Sequence, residues 1–530
     1  MLHLTNCARL LKSIKTSLGT GLVLPQVLVH KLSTMSTTSE FKLFPAPSAP
    51  ESKYIPSWTG FNPNSTATLA KVLEDNHKRW HIFFNDQGFH NHAAHRALAI
   101  WSLGADADVI QGGYDADLSY QHPAIEPPQP ITAANFNDHL GDKPYYQAYL
   151  AFFTNLVKEK GAKAVIEEYV FSKKANFEAA GSKKPHPGMF DRLLGGLIHP
   201  MIHTGYGLEF GLPGMTVEGL AETAVHPRSA TGLVPSSFFG ADAPSAISQV
   251  VSRLKSIALT DDTPPGVHAF TVLARVLNDP ELGKMVDTEG VGMFAETMDK
   301  HGDALAKYVQ DWHVDGSNPQ AILHKMEELM WTNALIYGVG GWKPGKEFNA
   351  DFFHMHMVTS SIFLGSYMAY LSPASQEILL KGYFFVCLGW WVSRGRADLD
   401  IENFYKSTSA HPAPSGLLPE PEDSALPSPS SPQAVTPNPW LPIIETSLVH
   451  PDDHLTKLQR TLRHYSSLFG SRPAGLPDFK NTELPGADKI DGSLFIRAAG
   501  LTAKRLGRVR EGEKPGHWDR HGFYKLTAKP

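Results

Sequence analysis

The chain has 530 residues, 42% of them hydrophobic and 19% charged, and a formal net charge of −5. That is enough for a large buried core, and it lacks the basic excess that a nucleic-acid partner demands. Its two cysteines, Cys7 and Cys387, exclude a disulfide framework and a thiolate metal site, and no apolar run reaches the roughly 18–20 residues of a membrane span.

The first 39 residues carry Arg9, Lys12, Lys15 and Lys31 and no acidic residue before Glu40. Leu10, Leu11, Ile14 and Leu18 fall near helical spacing, the composition of a mitochondrial presequence. Otherwise this is an extension ahead of the fold, or Met35 is the true start. The near-absence of cysteine fits a reducing, intracellular and cytoplasmic setting unless the presequence directs import. Residues 40–66, rich in Pro and Ser, read as an extended lead-in.

Residues 67–408 read as a helical catalytic domain. A first helix runs through "LAKVLEDNHKRWHIFF" and a second through "FHNHAAHRALAIWSLGA", stopped at Gly104. "YYQAYLAFFTNLVKEKGAKAVIEEYVF" gives two amphipathic helices broken at Gly161. "MFDRLLGGLIHPMIHTGYGLEFG" and "TVEGLAETAVHP" follow, with further helices expected around 244–258, 265–277, 295–310 and 317–337. "FFHMHMVTSSIFLGSYMAYL" and "SQEILLKGYFFVCLGWWVSRGR" complete this part. Residues 409–441, dominated by Pro and Ser, cannot bury enough apolar area to order themselves and read as a flexible, disordered insertion. Residues 442–530 return to helix at "HPDDHLTKLQRTLRHYSSLFG" and belong to the same domain. Alternating strand patterns are rare. The expectation is a mostly α fold: one large domain of bundled, layered helices.

Three segments place histidines inside apolar helices. His199 and His203 in "LIHPMIHTGYGLEF" are four apart, so they stack on one helix face at the spacing with which two imidazoles grip one metal. Pro200 requires either that the helix begins near His199 or that it kinks there. In "FHNHAAHRAL", His90, His92 and His95 cluster, Asn91 caps, Arg96 faces out, and one inward ligand is expected. In "DFFHMHMVTSS", His354 and His356 diverge on a helix, so one of them is a ligand. Four imidazoles suit Fe(II), Zn or Cu, with Glu209 or Asp351 as a carboxylate that joins or orients them. Lys381 and Tyr383 lie in the apolar helix after them, the lysine either snorkelling out or functionally buried, the tyrosine able to donate a proton. Each of these has a plain structural alternative, as a satisfied core or surface group. "GVGGWKPG" lacks the spacing of a dinucleotide loop, and the chain holds no P-loop, no G-x-S-x-G elbow and no H-E-x-x-H.

"GFHNHAAHRALAIWSLGA", "LLGGLIHPMIHTGYGLEFG", "DFFHMHMVTSS", "WWVSRGR" and "NPWLP…DDHLTKLQRTL" stand in the order seen in questin oxidase-like proteins, which the chain resembles from about Ala67 onward. The resemblance implies oxidative opening of, or oxygen insertion into, an anthraquinone-like ring of a small aromatic polyketide in fungal secondary metabolism. It implies a formal Baeyer–Villiger oxidation with O₂, non-haem iron and NADPH. It maps the metal onto His92 of "HNH", His199 and His203 of "HPxxH", and His356 of "DFFxMH". Tyr383, Lys381 and Glu209 are the further catalytic candidates. Some relatives place a lysine before "SRG" that serves near the metal as a modified side chain. Tyr383 falls at that place, and Lys381, two residues earlier, points about 200° away on a helix. The rival readings are a metal-independent acid/base enzyme and a helical small-molecule-binding protein without catalysis.

Overall fold

A computed structural model describes residues 41–47, 53–56, 58–177, 186–228, 234–239, 266–283, 292–416 and 418–524. The presequence-like segment 1–39 and the helix expected at 244–258 lie outside the described residues. Among those described, regular structure is helical, and strand pairing is limited to the isolated bridges Trp80–Pro123, Phe83–His90 and Asp351–Asp519. The fold class is therefore as expected from the sequence. No helix of the described residues is long and apolar enough to cross a membrane.

The helices that build the core are α1 Pro63–Arg79, α2 Ala93–Ser102, α3 Ala107–Leu118, α4 Tyr146–Lys160, α5 Gly195–Phe210 and α6 Pro213–Val225. After them come α7 Ala269–Asn278, α8 Gly292–Asp311, α9 Pro319–Gly340, α10 Phe352–Ser361, α11 Pro373–Ser393, α12 Trp440–Leu448, α13 Asp453–Phe469 and α14 Leu494–Leu506. Local chemistry sets the ends. Asn62 and Ser65 form a reciprocal capping box at α1 with Pro63 at the first position, and Gly161, at φ 81°, ends α4 where a break was expected. Helices α5, α6, α9, α10 and α11 are apolar around most of their circumference and are buried on nearly every face, forming the central layer. Helix α13 is strongly amphipathic and lays its inner face across α2, α10 and α14.

Helix α5 departs from a simple helix where Pro200 required it. Gly196, Leu197 and Ile198 adopt φ of 52°, 57° and 66°, a left-handed turn, and the right-handed helix begins at His199. Pro200 then sits in the first turn, where its missing N–H costs nothing. A β-branched residue at positive φ is strained by about 1–3 kcal/mol and persists only where its surroundings enforce it.

Helices α5 and α6 pack at backbone contact. A Cβ on Gly207 would lie 2.3 Å from Thr216 Oγ1 and 2.5 Å from its nitrogen, and one on Gly219 would lie 2.3 Å from Thr204 Oγ1 and 2.4 Å from its nitrogen. Two glycines, one per helix, thus let α6 press its carboxylates onto α5.

Residues 409–441 hold one turn of helix, Pro432–Val435, ahead of α12, and most of their side chains are exposed. The stretch is nevertheless pinned at its start, where Pro412 covers Gly500 of α14 closely enough that a Cβ there would meet it at 2.4 Å. Trp518 and Phe523, near the end of the chain, are buried.

Gly219→Ala is expected to destabilise the protein by about 1–3 kcal/mol despite alanine's better helix propensity, because the obstructing atoms are backbone. Chemical denaturation of the purified variant measures this. An unchanged midpoint would show that the two helices are not locked at this crossing.

Candidate metal centre

Four helix starts converge, and each delivers one histidine. His92 is the residue preceding α2, held by the turn before it. Asn91 Nδ2 donates to Asn76 Oδ1 at 2.9 Å, and Asn91 Oδ1 accepts from Ala93 N at 3.0 Å, so Asn91 satisfies the first amide of α2 from one residue ahead of the cap position, which His92 itself fills. His199 opens the right-handed part of α5 directly after the left-handed turn. His356 lies in the first turns of α10, which Asp351 caps by accepting from His354 N at 2.8 Å. His454 lies in the first turn of α13, whose cap Asp452 accepts from His454 N at 2.9 Å and Leu455 N at 3.1 Å.

Arg96 sets the last of these starts against α2. It was expected to face out, but it is 5% exposed, donating to Asp117 Oδ1 at 2.7 Å and to His450 O at 2.8 Å. The carbonyl at position 450 and the carboxylate of α3 satisfy the guanidinium better than solvent could at this depth, and the arginine ties the loop before α13 to α2.

The four rings face one another. Centroids lie 4.9 Å apart for His92 and His199, 4.9 Å for His199 and His356, 5.1 Å for His356 and His454, and 4.7 Å for His92 and His454. One nitrogen from each of His92, His199 and His454 lies within 4.8 Å of the others.

The decisive feature is what each Nδ1 touches. His199 Nδ1 donates to Gly196 O at 2.6 Å and His356 Nδ1 to Phe352 O at 2.7 Å. His92 Nδ1 and His454 Nδ1 donate to the two oxygens of Asp453 at 2.9 and 3.0 Å. Carbonyls and carboxylates only accept, so all four rings carry their proton on Nδ1 and present a lone pair at Nε2. His92 Nε2 and His199 Nε2 stand 2.8 Å apart, while His356 Nε2 and His454 Nε2 are buried without a partner. Lone pairs that converge in a dry interior repel unless a cation lies among them. Imidazoles oriented by an acceptor on the far nitrogen are the usual construction of a histidine metal site.

The electrostatics agree. Burial drives His92 down to about 3, with Lys457 adding to the effect, and burial together with neighbouring rings holds His199 and His356 well below the ordinary imidazole range. Burial alone would raise Asp453, but His454, Lys457 and His92 overcome it and hold the carboxylate well below its usual value. Lys457 Nζ donates to Asp453 Oδ2 at 2.9 Å, one helical turn from it.

Of the residues singled out from the sequence, His92, His199 and His356 meet at this centre. His203 does not: its Nε2 donates to Glu218 Oε2 at 2.7 Å and its Nδ1 faces His95 Nε2 at 3.0 Å, so neither nitrogen is available. His354, fully buried, turns away toward Phe523. Glu209 is buried in an ion pair with Arg460 of α13, and its carboxyl is pushed up to about 7 by burial. Asp351 is buried against Arg394, accepting at 2.9 and 3.0 Å, and braces α10 to the end of α11. Lys381 pairs with Glu377 one turn away on the half-exposed face of α11. Tyr383 donates to Met357 O at 2.6 Å and meets Ser360 Oγ at 2.7 Å, supporting the backbone just past His356 without reaching the rings. His454, Asp453 and Lys457 were not singled out. The signal was the run "DDHLTK", a cap aspartate followed by a second acid, a histidine and a lysine one turn on.

A second layer lies behind the rings. His90 stacks on His199 at 4.1 Å, and His226 on His90 at 5.3 Å. Gly196 makes room, since a Cβ there would lie 2.2 Å from His226 Nε2 and 2.9 Å from His90 Cε1. Glu218 and Glu222, one turn apart on α6, face His203 and His90.

A profile described as questin oxidase-like matches residues 89–462 of the chain. It is 26% identical over 451 residues to Baeyer-Villiger oxidase ptaJ of Pestalotiopsis fici, covering 83% of this chain and 88% of that one. It is 27% identical over 489 residues to questin oxidase of Aspergillus fumigatus, covering 88% and 93%, and 26% identical to Baeyer-Villiger monooxygenase dmxR6 of a Cryptosporiopsis species, covering 67% and 75%.

The lowered imidazoles fix a pH dependence. Unfolded histidines take up protons near pH 6.5, while in the folded chain His92 waits until about 3 and His90, His95, His199 and His356 are also strongly depressed. The stability is therefore complete above pH 6.5 and is lost as pH falls toward 3. Glu209 and Glu222, raised by burial, act with the opposite sign but are outnumbered. The urea midpoint of metal-stripped protein should fall steadily between pH 7 and 5; a flat or rising profile would contradict a neutral buried cluster.

Proposed function

The chain belongs to the questin oxidase-like family, and on that basis we propose that it is an oxidoreductase acting on an anthraquinone-like ring of a small aromatic polyketide. In this reading His92, His199, His356 and His454 hold a non-haem iron, and O₂ and a nicotinamide reductant are the co-substrates. The names of the relatives support an oxidative, Baeyer–Villiger-type reaction. The observation that carries the metal is the set of four Nε2 lone pairs, each enforced by an acceptor at Nδ1. Bound iron would supply the one-electron chemistry with O₂ that closed-shell side chains lack.

The chain's own groups set the conditions for that chemistry. Asp453 fixes two rings at once and places a negative charge behind them, which strengthens them as donors. Phe352 stands edge-on to both His356 and His454 at 4.9 Å, with Trp518 beyond it, so this flank of the centre is walled by aromatic surface and excludes water. Lys457, rather than Lys381 or Tyr383, is the lysine beside the rings. Its ammonium pairs with Asp453 and holds that carboxylate charged behind the rings.

Elemental analysis of purified protein tests this. The wild type is expected to carry about one iron per chain. His454→Ala is expected to lose it while staying folded, as are single substitutions of the other three. His203→Ala and Lys381→Ala are expected to retain it. Retention by His454→Ala with loss from His203→Ala would reverse the ligand assignment. No metal after anaerobic reconstitution with Fe(II) would turn the reading toward acid/base chemistry.

A further inference from the structure

Helix α14 carries cations along one face. Arg497 and Lys504 lie two turns apart on it, and Arg508 follows one turn later, just past the helix end. Gly507, at φ 85°, makes the turn that ends the helix, and Arg508 lines the same cavity as the other two. The start of the Pro/Ser-rich stretch closes over this face, with Pro412 seated on Gly500. The cavity between them holds about 260 Å³. The opposite face of α14 packs on α9 and α13, through Thr502 against Tyr337 and the carbonyl of Ala499 against Gln459. The helix therefore stands between this cavity and the metal centre.

The guanidinium of Arg508 is the unusual feature. The residue is 3% exposed, and its Nη1 is buried with no hydrogen-bond partner. Burial pushes the group below the ordinary arginine range. A cation at this depth calls for a partner. The acids nearby do not supply one. Glu513 accepts from Arg508 N at 2.8 Å and from Ser415 Oγ, and Glu511 accepts from Arg510 Nη1 at 3.2 Å. Both act on the Arg508 guanidinium through charge alone, without a hydrogen bond. Arg497 is held at the wall by donating to Tyr405 O at 3.1 Å and Ser493 Oγ at 2.8 Å. Lys504 stands exposed at the rim.

The lining thus holds three cations and a single carboxylate, Glu513, in a chain whose formal net charge is −5. A doubly charged phosphate balances that excess, whereas a carboxylate ligand leaves a positive charge over. The volume lies below the roughly 300–1,000 Å³ of sites that enclose a whole drug-sized ligand. It suits one phosphate group, with whatever bears it reaching outward.

We propose that Arg508, assisted by Lys504 and Arg497, binds a phosphate group in the cavity between α14 and residues 409–415. Arginine's planar fork matches the oxygens of a phosphate, and the lysine adds charge at the rim. A phosphate held there would also tether the start of the Pro/Ser-rich stretch, because Ser409 and Ser415 line the same cavity. The site rests on this geometry and not on the oxidative reading. Its phosphate has two possible sources, inorganic phosphate or the phosphorylated end of a nicotinamide reductant.

Isothermal titration calorimetry of the metal-loaded full chain in chloride buffer tests the site. Sodium phosphate is one titrant, and adenosine 2′,5′-bisphosphate, the phosphorylated end of such a reductant, is the other. One phosphate per chain is expected to bind. Arg508→Gln, with circular dichroism and metal content unchanged, should weaken binding about tenfold or more, the loss that follows removal of a charged hydrogen-bond donor. Lys504→Ala, at an exposed position where folding is not at risk, should weaken it about threefold. His454→Ala, which empties the metal centre, should bind phosphate as the wild type does. The site is overturned by the absence of saturable binding up to about 10 mM phosphate, by binding that survives both Arg508→Gln and Lys504→Ala, or by binding lost with His454→Ala. If Arg508→Gln does not fold, the Lys504 and His454 variants still separate the cavity from the centre. Bisphosphate held at least tenfold tighter than phosphate, with the same dependence on Arg508, would make the reductant the source; equal or weaker binding would make it free phosphate. Neither titration involves turnover, so failure of the oxidative reading would leave the site standing, and loss of the site would leave that reading untouched.

Discussion

The centre depends on the acceptors behind its rings, Asp453 first among them. A buried imidazole has two nitrogens and must be told which one keeps the proton. Asp453 does this for two rings with one carboxylate, while the carbonyls of Gly196 and Phe352 do it for the other two. Without these acceptors the rings could settle the matter among themselves, one donating to the next, and the cluster would be an ordinary buried histidine network. With them, four lone pairs face inward, a donor set that suits a cation.

That arrangement explains the costliest features of the backbone. The left-handed turn at Gly196, Leu197 and Ile198 turns a carbonyl back onto His199 Nδ1 and starts a helix whose second residue is proline. Ordinary helical backbone would commit the carbonyl at position 196 to the nitrogen at position 200, and proline offers none. The strain at Leu197 and Ile198 therefore leaves that carbonyl available for the ring. The buried ion pairs Asp351–Arg394 and Arg96–Asp117 act one step further out, fixing the starts of α10 and α13 that carry His356 and His454. Buried pairs of this kind add little net stability compared with apolar packing, so their presence fits a role in placing helix ends.

The helical class was legible because apolar residues recur at helical spacing over long, well-capped segments, and three of the four rings were legible because a histidine inside such a segment must have a partner and the family resemblance chose His92 and His356 from their clusters. His203 shows where that reasoning stops. Spacing of four puts it on the face of His199, as expected, but a face does not specify what each nitrogen meets. A carboxylate on α6, distant in sequence and brought close by Gly207 and Gly219, claims its Nε2. His454 was overlooked for the complementary reason. It sits in the first turn of an amphipathic helix among Asp452, Asp453 and Lys457, a context that resembles a solvated cap. Only the packing of α13 over α2 and α10 buries it. Arg96 was misjudged in the same way, since its partners come from 21 and more than 350 positions away.

The three candidate catalytic side chains from the sequence, Tyr383, Lys381 and Glu209, are all bound to other tasks: a helix brace, a surface pair and a buried pair with Arg460. Their shared feature was chemical ability in an apolar stretch, and that is a weak criterion because burial forces any polar group to find a partner, functional or not. Glu218 and Glu222 stand out by a stronger one. Glu218 is shared between two imidazoles from different helices, and Glu222 keeps two oxygens unpaired in a fully buried site beside two more. A fold selected only for stability would replace Glu222 with an apolar residue of the same size.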